Sequence, residues 1–116
     1  MLIALRLDAI SLNRTKPVKL IETNEIVITS IVCSGCLENV FNRTEYKPKS
    51  ENFVFNSDRD ISKVKIFDQF GQLEFELIVK SRSFKLNRNI FFEGNYTLSF
   101  ALQDSDEVFL AEVVIR

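Results

Sequence analysis

Histidine is absent from this sequence of 116 residues. Because histidine is the only side chain whose unperturbed pKa lies near neutrality, its absence excludes Ser–His and Cys–His nucleophile pairs and every zinc site that combines cysteine with histidine. Catalysis by glutamate, lysine or cysteine stays chemically open. We nevertheless expect no enzymatic activity, with no catalytic residue, no bound metal and no cofactor.

Glycine and proline are scarce, with 3 and 2 residues, while 46% of the residues are hydrophobic. This composition excludes a disordered or low-complexity chain and is typical of one globular domain covering 1–116. Neither charge sign dominates, since 15 basic side chains stand against 16 acidic ones. A near-neutral chain without a run of lysine and arginine has no electrostatic reason to bind nucleic acid or an anionic membrane.

Long apolar runs are missing as well. The N-terminal run LIAL is broken by Arg6 and Asp8, and it is far too short to cross a bilayer. It has no basic segment before it and no small-residue cleavage site after it, so it is a poor signal peptide. We expect no membrane insertion. The chain is then either cytoplasmic, or exported with a leader that this sequence does not include.

Phenylalanine is abundant, with 11 residues and no tryptophan beside them. Many of these residues lie in short segments where apolar and polar side chains alternate, which predicts strands that bury one face. Segments rich in valine and isoleucine predict further strands. No stretch predicts a long amphipathic helix. The predicted strands span residues 2–7, 16–22, 25–32, 52–56, 63–68, 73–80, 83–86, 95–102 and 107–115.

Seven to nine short strands at close intervals predict an all-β, antiparallel β-sandwich rather than a βαβ fold. Phenylalanine would then fill the space between two sheets. The segment 33–51 shows no strand pattern and is predicted to be irregular, and SDRD at 57–60 predicts a solvated turn. The alternation along 63–79 places six residues in the core: Val64, Ile66, Leu73, Phe75, Leu77 and Val79.

Three residues are interpreted as turn-forming residues rather than as ligands. In DQFGQ, Asp68 can accept a hydrogen bond from the backbone two residues further on. Gly71 follows where a type I turn needs a left-handed residue. Gly94, in FEGNY, stands just ahead of a predicted strand.

The motif CSGC, from Cys33 to Cys36, is the most chemically loaded segment. As half of a zinc site it lacks a second pair of ligands. As a redox pair it has the right spacing, but its surroundings are all-β rather than a helix N-terminus. The remaining interpretation is a local disulfide in an exported protein, or two free thiols in the cytoplasm. The three alternatives stay open.

An exposed aromatic surface is the alternative to a purely structural role for the phenylalanines. Its best candidate is NIFFEG at 89–94, because adjacent Phe91 and Phe92 cannot both point into one core from an extended backbone. These two residues, with the irregular segment 33–51, form the predicted interaction surface. A long exposed edge strand could also pair with a copy of itself, so the oligomeric state stays open.

From residue 46 onward the sequence resembles two families of the Bacteroidota. The segments ISKVKIFDQFGQL, SFKL and GNYTLSF and the closing apolar strand resemble, in order and spacing, the C-terminal sorting domain of type IX secretion cargo. The hairpin I-x-D-x-x-G and the strand G-x-Y-x-L-x-F are similar to a family of short exported β-sandwich proteins of unknown function from gut Bacteroidales. Both resemblances imply an immunoglobulin-like sandwich and export to the periplasm or cell surface. Neither implies a site residue.

Two departures favour the stand-alone family. Where sorting domains have a Pro-Asn-Pro segment this chain has Tyr46-Lys47-Pro48-Lys49, and it closes with AEVVIR instead of a lysine-rich strand. We therefore predict an exported, non-enzymatic binding module with a protein or carbohydrate partner, in which residues 1–45 supply the first strands. The alternatives are a type IX sorting domain on 46–116, and a redox or metal protein that uses the CSGC pair.

Overall fold

The computed structural model describes residues 19–23, 25–29, 31–33 and 40–116. The strand expected at 2–7 lies outside these residues. The described strands pair only in antiparallel fashion, so the predicted all-β antiparallel fold is confirmed. A short 3-10 helix, Arg88–Ile90, follows the fifth strand. The strands are β1 (Lys19–Glu22), β2 (Ile26–Thr29), β3 (Phe41–Lys47), β4 (Asn52–Phe67), β5 (Leu73–Asn87), β6 (Gly94–Leu102) and β7 (Val108–Ile115).

One hydrogen-bonded sheet contains all seven of these strands. Its order is β1-β2-β7-β6-β4-β3, and β5 pairs with the remaining edge of β4. The outer strands β1 and β3 come close together, so the sheet is nearly closed into a barrel. One curled sheet therefore surrounds the core, where two separate sheets had been expected.

Strand β4 is much longer than the sequence indicated. The two strands expected on either side of SDRD are one strand of 16 residues, and SDRD lies where its pairing with β5 shifts register. The prediction of a solvated turn was wrong because contacts distant in sequence hold this segment. Ser57 is buried, and the Arg59 guanidinium pairs with the Asp104 and Glu107 carboxylates at 2.6 and 3.3 Å.

Strand β3 lies within the segment 33–51 that was predicted to be irregular. It pairs with β4, with Phe41 opposite Ser57 and Lys47 opposite Asn52. Along β3 only Phe41 is buried, so the strand lacks the apolar alternation that would have revealed it. The prediction was therefore wrong for 41–47, and residues 34–39 lie outside the described part of the chain.

Phenylalanine dominates the core. The rings of Phe41 and Phe55 both pack against Phe100, with centroids 4.8 and 5.2 Å apart. Burying one phenylalanine side chain contributes roughly 1.5–3 kcal/mol, so these rings are among the largest stabilising contacts. Seven of the 11 phenylalanines are buried: Phe41, Phe53, Phe55, Phe84, Phe91, Phe100 and Phe109.

The described residues between 19 and 45 contribute to the same core. Strand β2 pairs with β7, and Ile26, Ile28 and Ile31 are buried in the cluster that also contains Phe100 and Phe109. The isolated bridge between Val32 and Leu110 extends this pairing.

Strand β5 departs from the predicted core. Val64 and Ile66 on β4 are buried as predicted. Their partners on β5 are less protected, because β5 has β4 on one side and no described strand on the other. Two predicted core residues are exposed, Leu73 and Phe75, and two are only half-buried, Leu77 and Val79.

Candidate interaction surface

The turn between β4 and β5 displays an aromatic ring. The carboxylate of Asp68 accepts hydrogen bonds from the backbone N–H groups of Phe70 and Gln72, at 2.8 and 2.9 Å. The Gly71 N–H donates to the Asp68 carbonyl at 3.0 Å, and Gly71 has φ +82°. These bonds fix the backbone of the turn, which leaves the Phe70 side chain 79% exposed at its tip.

The segment before β6 displays a second ring. Phe91 has an extended backbone, with φ −108° and ψ 140°, so neighbouring side chains point to opposite sides. Phe91 is buried at 8% exposure and packs against Tyr96, with ring centroids 4.8 Å apart. Phe92 is 87% exposed. The Tyr96 hydroxyl donates to the Phe92 carbonyl at 3.0 Å, which holds this segment against β6.

Phe70 and Phe92 lie on the same depression of the surface. It has a volume of about 230 Å³ and is lined by the β4–β5 turn, by Glu74 and by residues 92–96. We call this pair of exposed rings the aromatic rim. An exposed phenylalanine contributes little to the stability of the monomer, so two of them on one depression make this a candidate contact surface.

The surroundings of the aromatic rim are acidic. Asp68, Glu74 and Glu93 line the depression, and no lysine or arginine does so among the described residues. None of the three carboxylates forms an ion pair with a described residue. The rim is therefore an apolar patch bordered by negative charge.

A larger groove of about 520 Å³ adjoins the depression and shares Asp68, Gln69, Asn95 and Tyr96 with it. It continues over β6 and β7, where hydroxyl and carboxylate side chains lie between apolar ones. Its further lining residues are Phe67, Gly71, Thr97, Ser99, Leu110, Glu112, Val113 and Val114. This polar groove extends the surface that a partner could contact beyond the aromatic rim.

The structure separates the residues predicted to form a site. Phe91 is a core residue and contributes no exposed surface, whereas Phe92 does. Asp68, Gly71 and Gly94 build the two loops that carry the rim; Gly94 has φ +145°, a conformation that favours glycine. The segment 40–51, with β3 in it, lines neither the rim depression nor the adjoining groove.

Cys33 lies away from the aromatic rim. It is half-buried against the core and is disulfide-bonded. Cys36 lies outside the described residues. Among the residues that are described, no three potential metal ligands come together.

Phe70 is the surface residue that the sequence analysis missed. Its signal was present, because a large apolar side chain between Asp68 and Gly71 occupies the tip of a tight turn and cannot reach the core. Nothing in the sequence predicted that Phe70 and Phe92 lie near each other, because they line one depression only through the folding of the sheet.

No protein-family model matches this chain, and no curated protein or solved structure matches it. No helix in the described ranges is long and apolar enough to cross a membrane.

Proposed function

We propose that this chain is an exported, non-enzymatic binding module that docks a partner protein through the aromatic rim. The observation that carries the proposal is the pair Phe70 and Phe92, 79% and 87% exposed on one depression. Large aromatic side chains that enter a partner's pocket dominate the energetics of many interfaces. The turn hydrogen bonds of Asp68 and the Tyr96 hydroxyl hold both loops before binding, which lowers the entropic cost of association.

The chemistry of the rim defines the partner. Two phenyl rings require an apolar cleft, and the carboxylates of Glu74 and Glu93 beside them require basic side chains at its border. Opposite charges at the border of an interface increase the association rate and select against other partners. We therefore favour a protein with an apolar cleft flanked by lysine or arginine over a neutral carbohydrate, which would bring no positive charge to Glu74 and Glu93.

Two observations support an exported module that stands alone. The disulfide of Cys33 is chemistry that persists in oxidising compartments. The segment 46–116, which carries the family resemblance, begins inside β3 and leaves out β1, β2 and the buried residues Ile26 and Ile28. A sorting domain confined to 46–116 would lack part of this core.

The test is site-specific photo-crosslinking in the cells that express the protein. A benzophenone amino acid replaces Phe70 or Phe92 in turn, with Val108 as the matched control, since it is an exposed apolar residue that lines neither depression nor groove. We expect one discrete crosslinked protein from positions 70 and 92 and none from 108. Equal crosslinking at all three positions, or none at 70 and 92, would refute the proposal.

A further inference from the structure

The outer edge of β5 is an unpaired strand edge among the described residues. All backbone pairing of β5 is with β4, which itself lies between β5 on one edge and β3 or β6 on the other. Strand β5 has 15 residues. An edge of this length exposes a row of N–H and C=O groups that can pair with another strand.

One face of β5 near its start is apolar, and the other face carries one apolar side chain, Ile78, beside charged ones. Leu73, Phe75 and Ile78 are 50, 38 and 64% exposed. Phe75 and Leu77 lie opposite the fully buried Ile66 and Val64. They therefore lie on the core face of the sheet. They are partly exposed because β5 has no further described strand beside it.

The sign of the charged side chains changes along β5. Glu74 and Glu76 precede Ile78, while Lys80 and Arg82 follow it. When such a strand pairs antiparallel with itself, the acidic end of one copy meets the basic end of the other. We propose that β5 pairs with β5 of a second copy of this chain, antiparallel, around a twofold axis at Leu77.

This register keeps one face apolar and places opposite charges against each other on the second face. Residues directly opposite each other in an antiparallel pair share a face. With the axis at Leu77, Phe75 lies opposite Val79 of the second copy, so one face is apolar throughout. On the other face Glu74 lies opposite Lys80, and Glu76 lies opposite Ile78. Moving the axis to Glu76 would place two like charges opposite each other, which is unfavourable.

The other candidate axis, at Ile78, requires regular pairing beyond Lys80. Lys80 has φ +53°, and the pairing with β4 shifts there, since Lys63 lies opposite Ile78 but Ile61 opposite Ser81. Irregularities of this kind interrupt edge pairing. They confine the proposed contact to 74–80, centred on the stretch from Phe75 to Ile78 that pairs regularly with β4.

A second copy fits this edge better than an unrelated peptide does. A peptide needs only an apolar strand, whereas the opposed charges of Glu74 and Lys80 become satisfied when the same sequence runs in the reverse direction. A symmetric dimer also leaves no further edge of β5 to extend the assembly, as expected of a closed twofold interface.

The test is sedimentation velocity on the full chain over a wide concentration range, with charge variants. We expect a reversible dimer. Glu74→Lys and Lys80→Glu should each weaken dimerisation, roughly tenfold in Kd, because both symmetry-related pairs become like-charged. The double variant should restore the affinity of the original chain. Lys49→Glu, in the exposed turn between β3 and β4, is the matched control and should change nothing.

A second arm tests the position of the axis. Leu77→Cys should form a disulfide-linked dimer under mild oxidation, because the two copies of residue 77 lie directly opposite each other. Ile78→Cys should not, because residue 78 of one copy lies opposite residue 76 of the other, which leaves the two copies of residue 78 too far apart for a disulfide. A chain that stays monomeric, or a dimer in which the double charge variant fails to recover, would overturn the proposal. Slow exchange, in a monomer, of those amides in 74–80 that do not bond to β4 would do so too, since it would mean that the chain itself covers this edge.

Discussion

At the scale of single residues, the surface follows from the geometry of two short segments. An extended backbone must place Phe91 and Phe92 on opposite sides, and the sequence alone predicted that conflict. It could not predict which ring is buried. That choice depends on the contacts of Phe91 with Phe53 and Tyr96, at centroid distances of 6.2 and 4.8 Å, and these residues lie on different strands.

The two neighbours provide a matched pair of variants. Phe91→Ala should lower the free energy of unfolding by about 3 kcal/mol, because it removes a buried ring and leaves a cavity. Phe92→Ala should change it by less than about 0.5 kcal/mol, as expected for an exposed side chain. Urea denaturation of both variants measures the difference. Equal losses of stability would mean that Phe92 is also a structural residue.

At the scale of elements, alternation predicted most strands but neither their lengths nor their neighbours. The hairpin around Asp68 and Gly71 was predictable because its turn chemistry is local. Strand β3 was not, since most of its side chains are polar. The exposure of Phe75 could not be predicted for a different reason. Alternation shows that a residue lies on the core face of a sheet, but it does not show whether another strand covers that residue.

One ion-pair cluster joins the SDRD segment of β4 to the connection between β6 and β7. Arg59 donates to Asp104 and Glu107, which lie in the connection between β6 and β7. Its hydrogen bond and charge hold the pKa of Asp104 below the ordinary value of 3.8. A depressed pKa in the folded state means that this contact stabilises the protein above the unfolded pKa and is lost as pH falls through the folded one.

The corresponding variant is Asp104→Asn. Its urea midpoint should lie slightly below that of the original chain at pH 7 and at pH 5, where Asp104 is ionised. The difference should disappear well below pH 3.8, where Asp104 is protonated in both states. The measurement is urea denaturation of both proteins at each pH. A difference that grows on acidification would contradict the assignment.

At the scale of the whole molecule, the aromatic rim and the Arg59 ion-pair cluster lie at opposite ends of β6. The strand begins at Gly94, next to Phe92, and ends at Leu102, next to the connection that holds Asp104. Nine residues of strand separate these ends by about 27 Å. Changes at sites so far apart are expected to act independently, so a variant at Asp104 can serve as a control for one at the aromatic rim.

The most direct test of the aromatic rim is an affinity measurement. The protein captured through position 92 is purified and titrated by calorimetry with the original chain, with Phe70→Ala, Phe92→Ala and their double variant, and with Asp104→Asn. Each rim substitution should weaken Kd about 30-fold, the effect of losing a typical anchor residue, while Asp104→Asn should bind like the original chain. A folded double variant that binds as tightly as the original chain would contradict the proposed role of the rim.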